Sequence, residues 1–482
     1  YWDAKTGKLT GINAGGGAPL ALTIAYLKKQ GYTSMPSTGI HTVTVPGCVR
    51  GWAAMHHRFG RVAWRDLFAP AIYYAEQGFP VTELIQAEWQ NAASKLAADE
   101  NAARVFLSKG SVPKVGEIFR NAELARAYRL IANQGPDAFY SGTIAQAILA
   151  TSKRLGGTMT AQDLARYEPE WVQPISTTYR GWSVYELPPN GQGIGTLEML
   201  NLLEPFPMGD YPQLSAEALH LEIEAQKLSF EDIRKYVGDP RFVKVPLEGL
   251  LSKDYARERS AAIDPDKANC DAQPGQPRVA HNTTYLATVD KDGNIASWIQ
   301  SNSDLFGSGI VVDGFPLHDR GSGFLLDPDA ANALAPGKRP YHTIIPAFLE
   351  KGSLHAGFGI MRGMNQPQAQ AQFVSNVVDH GMNIQAALEA PRFTKMTLGG
   401  CDVVLEGRVP SEVRDALARK GHQITVAGDY SYQVGGGHAV LHDSATGVNY
   451  GASSPRKDGA AIPEPDPYFQ SPSTIKFQRS RR

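Results

Sequence analysis

The chain has 482 residues, 42% of them hydrophobic and 20% charged, with 47 Lys+Arg against 48 Asp+Glu. That length suggests two to three domain-sized units, and the composition excludes a disordered or fibrous chain. A net charge of −1 removes the basic excess of a general nucleic-acid binder, and no apolar run approaches the ~18 residues of a membrane span.

The chain opens Tyr1-Trp2-Asp3 and continues Lys5-Thr6-Gly7-Lys8, a turn between two short strands. It is therefore expected to begin inside a hairpin, as a mature form or a fragment would. Residues 20 to 165 read mostly helical. Leu67, Ile72, Ala75 and Phe79 keep a helical spacing. Leu124, Ala127, Leu130 and Ile131 repeat it before a stop at Gly135-Pro136. Thr160 with Asp163 forms a variant capping box. Strands are expected over 175–179 and 182–187, then a long helix from Ala216 to Tyr236. From residue 257 to 282 the chain is polar and rich in Pro, and it reads as an exposed loop. Residues 284–289 and 295–299 flank Asp292-Gly293, a hairpin signature. Strands near 344–350 and 353–359 and a helix from Gln368 to His380 follow. Helices and strand pairs on both sides of the loop point to a layered α/β or α+β protein. Cys48, Cys270 and Cys401 lie far apart in sequence, so no disulfide framework is expected.

The common chemical motifs fail. His56-His57 sits in a helical stretch, where neighbouring side chains diverge, so a metal site there is not favoured. Gly191-Gln192-Gly193-Ile194-Gly195 lacks the glycine spacing of a dinucleotide fingerprint. Gly307-Ser308-Gly309 lacks the flanking glycine of a nucleophile elbow, which leaves a Ser308 hydrolase without support. A different nucleophile remains. A Thr that becomes a chain N-terminus can use its own α-amine as base. It must start a strand and follow a cleavable loop, as Thr283 does. A β-branched strand residue is the plainer reading of Thr283, and local sequence does not separate the two.

The order of segments resembles the γ-glutamyltransferase (γ-glutamyltranspeptidase) family of N-terminal nucleophile (Ntn) hydrolases. The stretches that carry the resemblance include Val45-Pro46-Gly47, Gly135-Pro136-Asp137-Ala138-Phe139-Tyr140, Leu187-Pro188-Pro189, Thr283-Thr284-Tyr285-Leu286-Ala287, Phe306-Gly307-Ser308-Gly309, Lys338-Arg339-Pro340 and Tyr450-Gly451-Ala452-Ser453-Ser454-Pro455-Arg456. They span nearly the whole chain in the family's order. The resemblance implies an α+β fold, the four-layer αββα sandwich, with residues 1–282 as large-subunit part and 283–482 as small subunit of one intertwined unit. It implies self-cleavage between Asn282 and Thr283, with Thr283 as nucleophile and base and no cofactor. Backbone N–H groups of Arg362 and Gly363 would hold the oxyanion. Gln300 stands where many members have a Thr beside the nucleophile, and Asn302 where the family has a substrate-contacting Asn. The partners implied are a small-molecule amide and the two subunits of one precursor, with a homo-oligomer left open. Family likeness suggests a periplasmic or secreted protein; the sequence does not fix the compartment.

The departures concern substrate. Gly15 occupies the place of the Arg that clamps the glutamyl α-carboxylate. Arg320-Gly321-Ser322-Gly323 replaces the acids that meet the α-amine, and His342-Thr343 replaces a Ser pair. Arg320 and Arg362 are added cations, which favour an acyl group ending in a carboxylate and lacking an amine. Branches of this kind resemble cephalosporin (glutaryl) acylases and oxamate-type amidohydrolases. A true γ-glutamyltransferase or glutathione hydrolase is the alternative within the family. An inactive binding protein of the same fold is the alternative outside enzymes.

Overall fold

The computed structural model describes residues 1–271, 283–395, 397 and 399–463, and the backbone of residue 282. Two sheets stack face to face. One has four strands in the order Lys8–Leu9, Trp2–Asp3, Ile295–Ser303 and Asn282–Val289. The other has six, ordered Val448–Ser453, Gly437–Asp443, Leu354–Ile360, Ala347–Lys351, Trp182–Glu186 and Ile175–Tyr179. The strands of the larger sheet are antiparallel throughout.

Glycine sets how closely the sheets approach. A Cβ at Gly359 would fall 2.4 Å from the Tyr285 ring, and one at Gly357 would fall 2.8 Å from Ile295. Side chains are omitted there so that the ring of Tyr285 can lie against backbone.

Helices cover the outer faces. Gly193–Leu203, Ala216–Tyr236 and Asn365–Val378 pack on the six-stranded sheet around Leu197, Leu221, Phe358 and Phe373. The Cys48–Phe59 helix lies against the other sheet, where Trp52 Nε1 donates to Gln300 Oε1 at 3.1 Å. The result is the expected αββα sandwich.

Local signals explain the elements. The Ala216–Tyr236 helix has the expected bounds, and Ser215 caps it by accepting from the Ala218 N–H. The Thr160–Asp163 capping box is present. The helix expected from Gln368 begins at Asn365, because its first turns are buried polar residues rather than an apolar stripe. Gln368 and Gln372 satisfy themselves on the backbone of Lys395 and Phe393. Phe79 lies outside the helix Ala69–Gln77, in a short strand.

Two expectations are corrected. The segment from 257 is not loop at its start: the Lys253–Ser260 helix runs through it, capped by Ser252. Residues 272–281 lie outside the described residues. Cys270 and Cys401 form a disulfide with a Cα–Cα distance of 5.0 Å, although 131 residues separate them. Residue spacing along the chain carries no information about such a long-range pair.

Candidate active site

Thr283 is the first residue of the hairpin strand with a described side chain. Side chains alternate along a strand. Thr283 and Tyr285 accordingly turn inward, at 8% and 2% exposure, while Thr284 and Leu286 turn outward. The Thr283 hydroxyl is buried and has no hydrogen-bond partner among the described residues. It opens on a cavity of about 930 Å³ that is also lined by Gly15, Asn190, Gln300, Asn302, Arg320 and His342.

The hairpin register is regular until Gln300↔Thr284 and resumes at Ser303↔Asn282. Ser301 and Asn302 together therefore face the one residue Thr283. This is a β-bulge opposite the expected nucleophile. It places Asn302 in the wall of the cavity. Gln300 is different. It pairs with Thr284, on the face turned away from Thr283. Its Oε1 accepts from Cys48 Sγ at 3.2 Å, Trp52 Nε1 at 3.1 Å and Trp298 Nε1 at 3.2 Å. The residue that shares the Thr283 face is Ser301, whose Oγ accepts from the Ser303 N–H at 2.8 Å. Counting alternation from the Asp-Gly turn would have found it.

The end of the cavity around Gly15 is stitched from three segments. Asn13 Nδ2 donates to Asn190 Oδ1 at 3.0 Å, and the Gly15 N–H donates to Asn13 Oδ1 at 2.9 Å. Asn190 Nδ2 donates to the Pro340 carbonyl, and the His342 N–H to the Asn190 carbonyl. A Cβ at Gly15 would lie 3.2 Å from His342 Cδ2. The space beside Gly15 is thus filled by an imidazole from another segment. Asn13, Asn190 and Gln192 were not singled out from the sequence, because their amides act only through these long-range bonds.

Arg320 starts a 3₁₀ turn, Arg320–Gly323, and is 6% exposed. Its Nη1 donates to Thr343 Oγ1 at 2.8 Å. Its Nε and Nη2 are buried and have no partner among the described residues. The acid acting on it is its chain neighbour Asp319. Burial pushes the guanidinium down to about 10, still charged at neutral pH, and pushes the Asp319 carboxyl up to about 6. The Asp319 N–H donates to the Asn302 carbonyl at 3.1 Å, which ties the turn to the hairpin bulge. A desolvated guanidinium with two unused donors, in the wall of the cavity on which the Thr283 hydroxyl opens, is suited to receive an anionic group.

Arg362 and Gly363 lie in the turn between the strand Leu354–Ile360 and the helix Asn365–Val378, at φ +97° and +49°. Both residues have positive φ, and neither is among the residues that line the cavity. The Gly363 carbonyl and the Thr343 carbonyl both accept from Gln192 Nε2, at 2.8 and 2.7 Å, so one amide couples this turn to the segment that carries His342. The Arg362 guanidinium does not add a second cation to the cavity wall. It stacks over Tyr432, 4.4 Å from the ring centroid.

Metal chemistry finds one candidate group among the described residues, the buried His220, Glu224 and His422. Their facing atoms are already engaged. His220 Nδ1 meets His422 Nε2 at 2.8 Å, and Lys227 Nζ binds Glu224 at 2.6 Å. None of the three lines the cavity. No helix among the described residues is long and apolar enough to cross a membrane.

Comparison with known proteins identifies the family. Residues 1–464 match the family described as Gamma-glutamyltranspeptidase. The glutathione hydrolase-like YwrD proenzyme of Bacillus subtilis (strain 168) is 36% identical over 440 residues, covering 90% of this chain and 83% of that protein. The acylase ACY 1 proenzyme of Pseudomonas sp. (strain SE83) is 33% identical over 428 residues, covering 88% and 75%. The crystal structure of a cephalosporin acylase from Bacillus halodurans superposes with a TM-score of 0.87 at 42% identity, covering 94% of this chain and 84% of that one. The chain belongs to the γ-glutamyltranspeptidase family and is an enzyme of its Ntn-hydrolase class.

Proposed function

We propose that the chain is an N-terminal-Thr amidohydrolase or acyltransferase that matures by cutting the Asn282–Thr283 bond and whose acyl group carries a carboxylate. The observation that carries the reading is the Arg320 guanidinium. It is buried in the wall of the cavity that holds the Thr283 hydroxyl, and two of its nitrogens have no partner among the described residues. A buried charge left so is costly unless a ligand completes it.

In maturation, Thr283 Oγ attacks the carbonyl of residue 282. The C–N bond breaks, an ester replaces the amide, and water hydrolyses that ester. The freed α-amine then serves as base. In turnover, Thr283 Oγ attacks the substrate amide carbonyl and gives its proton to this amine. The N–H groups of Arg362 and Gly363 stabilise the tetrahedral oxyanion. The leaving amine takes the proton, and water or an acceptor amine releases the acyl group. Arg320 holds the acyl carboxylate, with Thr343 fixing the guanidinium and His342, Asn302 and Gly15 shaping the space around it. The names of the acylase relatives point the same way.

One observation favours true γ-glutamyl transfer as the second reading. Glu186 lies buried in the same cavity wall, beside Thr196, and burial holds its carboxyl well above the usual range. A substrate ammonium would give that carboxyl a partner. Paired glutaryl and γ-glutamyl anilides, compared by kcat/KM on one preparation, decide between the two. The glutaryl compound should be favoured by more than about tenfold, the scale of 2–5 kcal/mol for leaving a desolvated charge unpaired. A tenfold preference for the γ-glutamyl compound would transfer the assignment to Glu186.

A further inference from the structure

The Cys270–Cys401 disulfide lies across the site of the proposed cut. Cys270 stands twelve residues before residue 282, on the N-terminal side, and Cys401 lies on the C-terminal side. Cys270 is exposed at the end of the segment that leads to the hairpin, whereas Cys401 is buried at 4% exposure, just before the strand Asp402–Glu406. We infer that this bond is a covalent tether between the two subunits of the mature enzyme, and that thiol reductants open it from the Cys270 side. The inference rests on the maturation reading above.

The geometry supports both parts. The backbones around the two cysteines are held together independently of the sulfurs. The Ala268 N–H donates to the Lys420 carbonyl at 2.7 Å, and the Gln423 N–H donates to the Cys401 carbonyl at 2.7 Å. The Asn269 N–H donates to Glu224 Oε2 at 3.2 Å, and Lys227 Nζ donates to the Asn269 carbonyl at 2.9 Å. The large-subunit arm is thereby docked on the helix Ala216–Tyr236 and on the small subunit together.

The surroundings of the sulfurs set the direction of exchange. Exchange is an in-line attack by a thiolate on the accessible sulfur, and the better-stabilised thiolate leaves. Cys270 Sγ is the accessible one. Cys401 Sγ lies 3.9 Å from the Lys227 ammonium, which favours negative charge on it. A reductant thiolate bonds to Cys270 Sγ, the S–S bond breaks, and its electron pair stays on Cys401. A second reductant thiolate then displaces the mixed disulfide and frees Cys270 as a thiolate. Two electrons pass to the bond and the reductant becomes a disulfide.

The test uses purified mature protein, alkylated in denaturant with and without prior dithiothreitol and run on a denaturing gel. The expected result is one band near the full 52.2 kDa without reductant. With it, two bands of roughly 30 and 22 kDa should appear, dividing that mass as 282 to 200 residues. Alkylated thiols per chain should rise from one, Cys48, to three. Cys270→Ser should give two bands without reductant, and Cys48→Ser should stay joined. Two bands without reductant in the parent protein, with three alkylated thiols, would overturn the tether. A single band in both lanes overturns the maturation reading and the tether with it, while the thiol count still reports whether the bond exists. The direction of opening is read by brief native exposure to a bulky thiol. The mixed disulfide should map to Cys270, and a mixed disulfide on Cys401 would contradict it.

Discussion

Two buried guanidinium groups in this protein are held in opposite ways. Arg456 is wholly enclosed, and its bonds are complete. It meets Glu406 through both Nε and Nη2, at 2.6 and 2.5 Å, and its remaining donors reach the Leu388 and Ala390 carbonyls and Ser454. Arg320 is almost as buried, and among the described residues its guanidinium makes one hydrogen bond, to Thr343. The first joins the helix Ile384–Glu389 to the strand Asp402–Glu406 and the C-terminal segment. The second leaves donors unused in a cavity wall. Burial alone does not separate a structural charge from a functional one; the count of unmet donors does.

The comparison can be broken or sharpened by substitution. The largest effect belongs to neither arginine. Thr283→Ala should leave the chain uncut and lower turnover by at least about 10⁴-fold, the scale for losing a nucleophile. A chain that still splits before residue 283 would remove Thr283 from the mechanism. Arg456→Met should cost about 3–5 kcal/mol of stability, since Glu406 keeps a buried charge without its bidentate partner. Urea unfolding measures it, and a loss under about 1 kcal/mol would mean that Arg408, whose Nη2 already donates to Glu406 Oε2 at 3.1 Å, compensates the charge.

Arg320→Ala should do the reverse. Stability should change by no more than about 1 kcal/mol, because one hydrogen bond and one desolvated charge are lost together. kcat/KM for a carboxylate-bearing anilide should fall at least about tenfold. A variant that loses several kcal/mol of stability but, where still folded, keeps its substrate preference would make Arg320 a second Arg456.

The smallest effect is a pH dependence. Burial raises the Asp319 carboxyl to about 6, so below that pH Asp319 is neutral and Arg320 acts alone. Above it the carboxylate offsets the guanidinium. KM for a carboxylate-bearing substrate should therefore rise a few-fold from pH 5 to pH 7. Asp319→Asn should flatten that rise. This trend in KM is separate from kcat, which should grow as the Thr283 amine, with a reference value of about 7.7–8.0, loses its proton.

Much of this was legible in the sequence. The long helix, the Asp-Gly hairpin and the position of Thr283 rest on local patterns, and local patterns survive folding. Arg320 was legible as an added cation, though its unmet donors were not. Gln300 was placed beside the nucleophile by family position alone; counting back from the Asp-Gly turn pairs it with Thr284, on the other face, and leaves Ser301 opposite Thr283. Arg362 was expected to add charge at the pocket. Its backbone sits in the left-handed region, which sends the side chain onto Tyr432. The disulfide was invisible because its two halves approach only after a βαβ unit, with strands Asp402–Glu406 and Gln423–Ala427 in parallel, has formed beside the helix Ala216–Tyr236.

The six-stranded sheet has a consequence for assembly. Its strands Ile175–Tyr179 and Trp182–Glu186 precede Thr283, and the other four follow it. A cut before Thr283 would leave the Trp182–Glu186 and Ala347–Lys351 pairing shared between two molecules. Neither molecule would then own a complete core. Fragments 1–282 and 283–482 made as separate polypeptides would have to nucleate a sheet by collision, at a rate set by their concentrations. The uncut chain performs the same step on itself at a fixed effective concentration. Folding first and cutting afterwards is the order that this topology rewards.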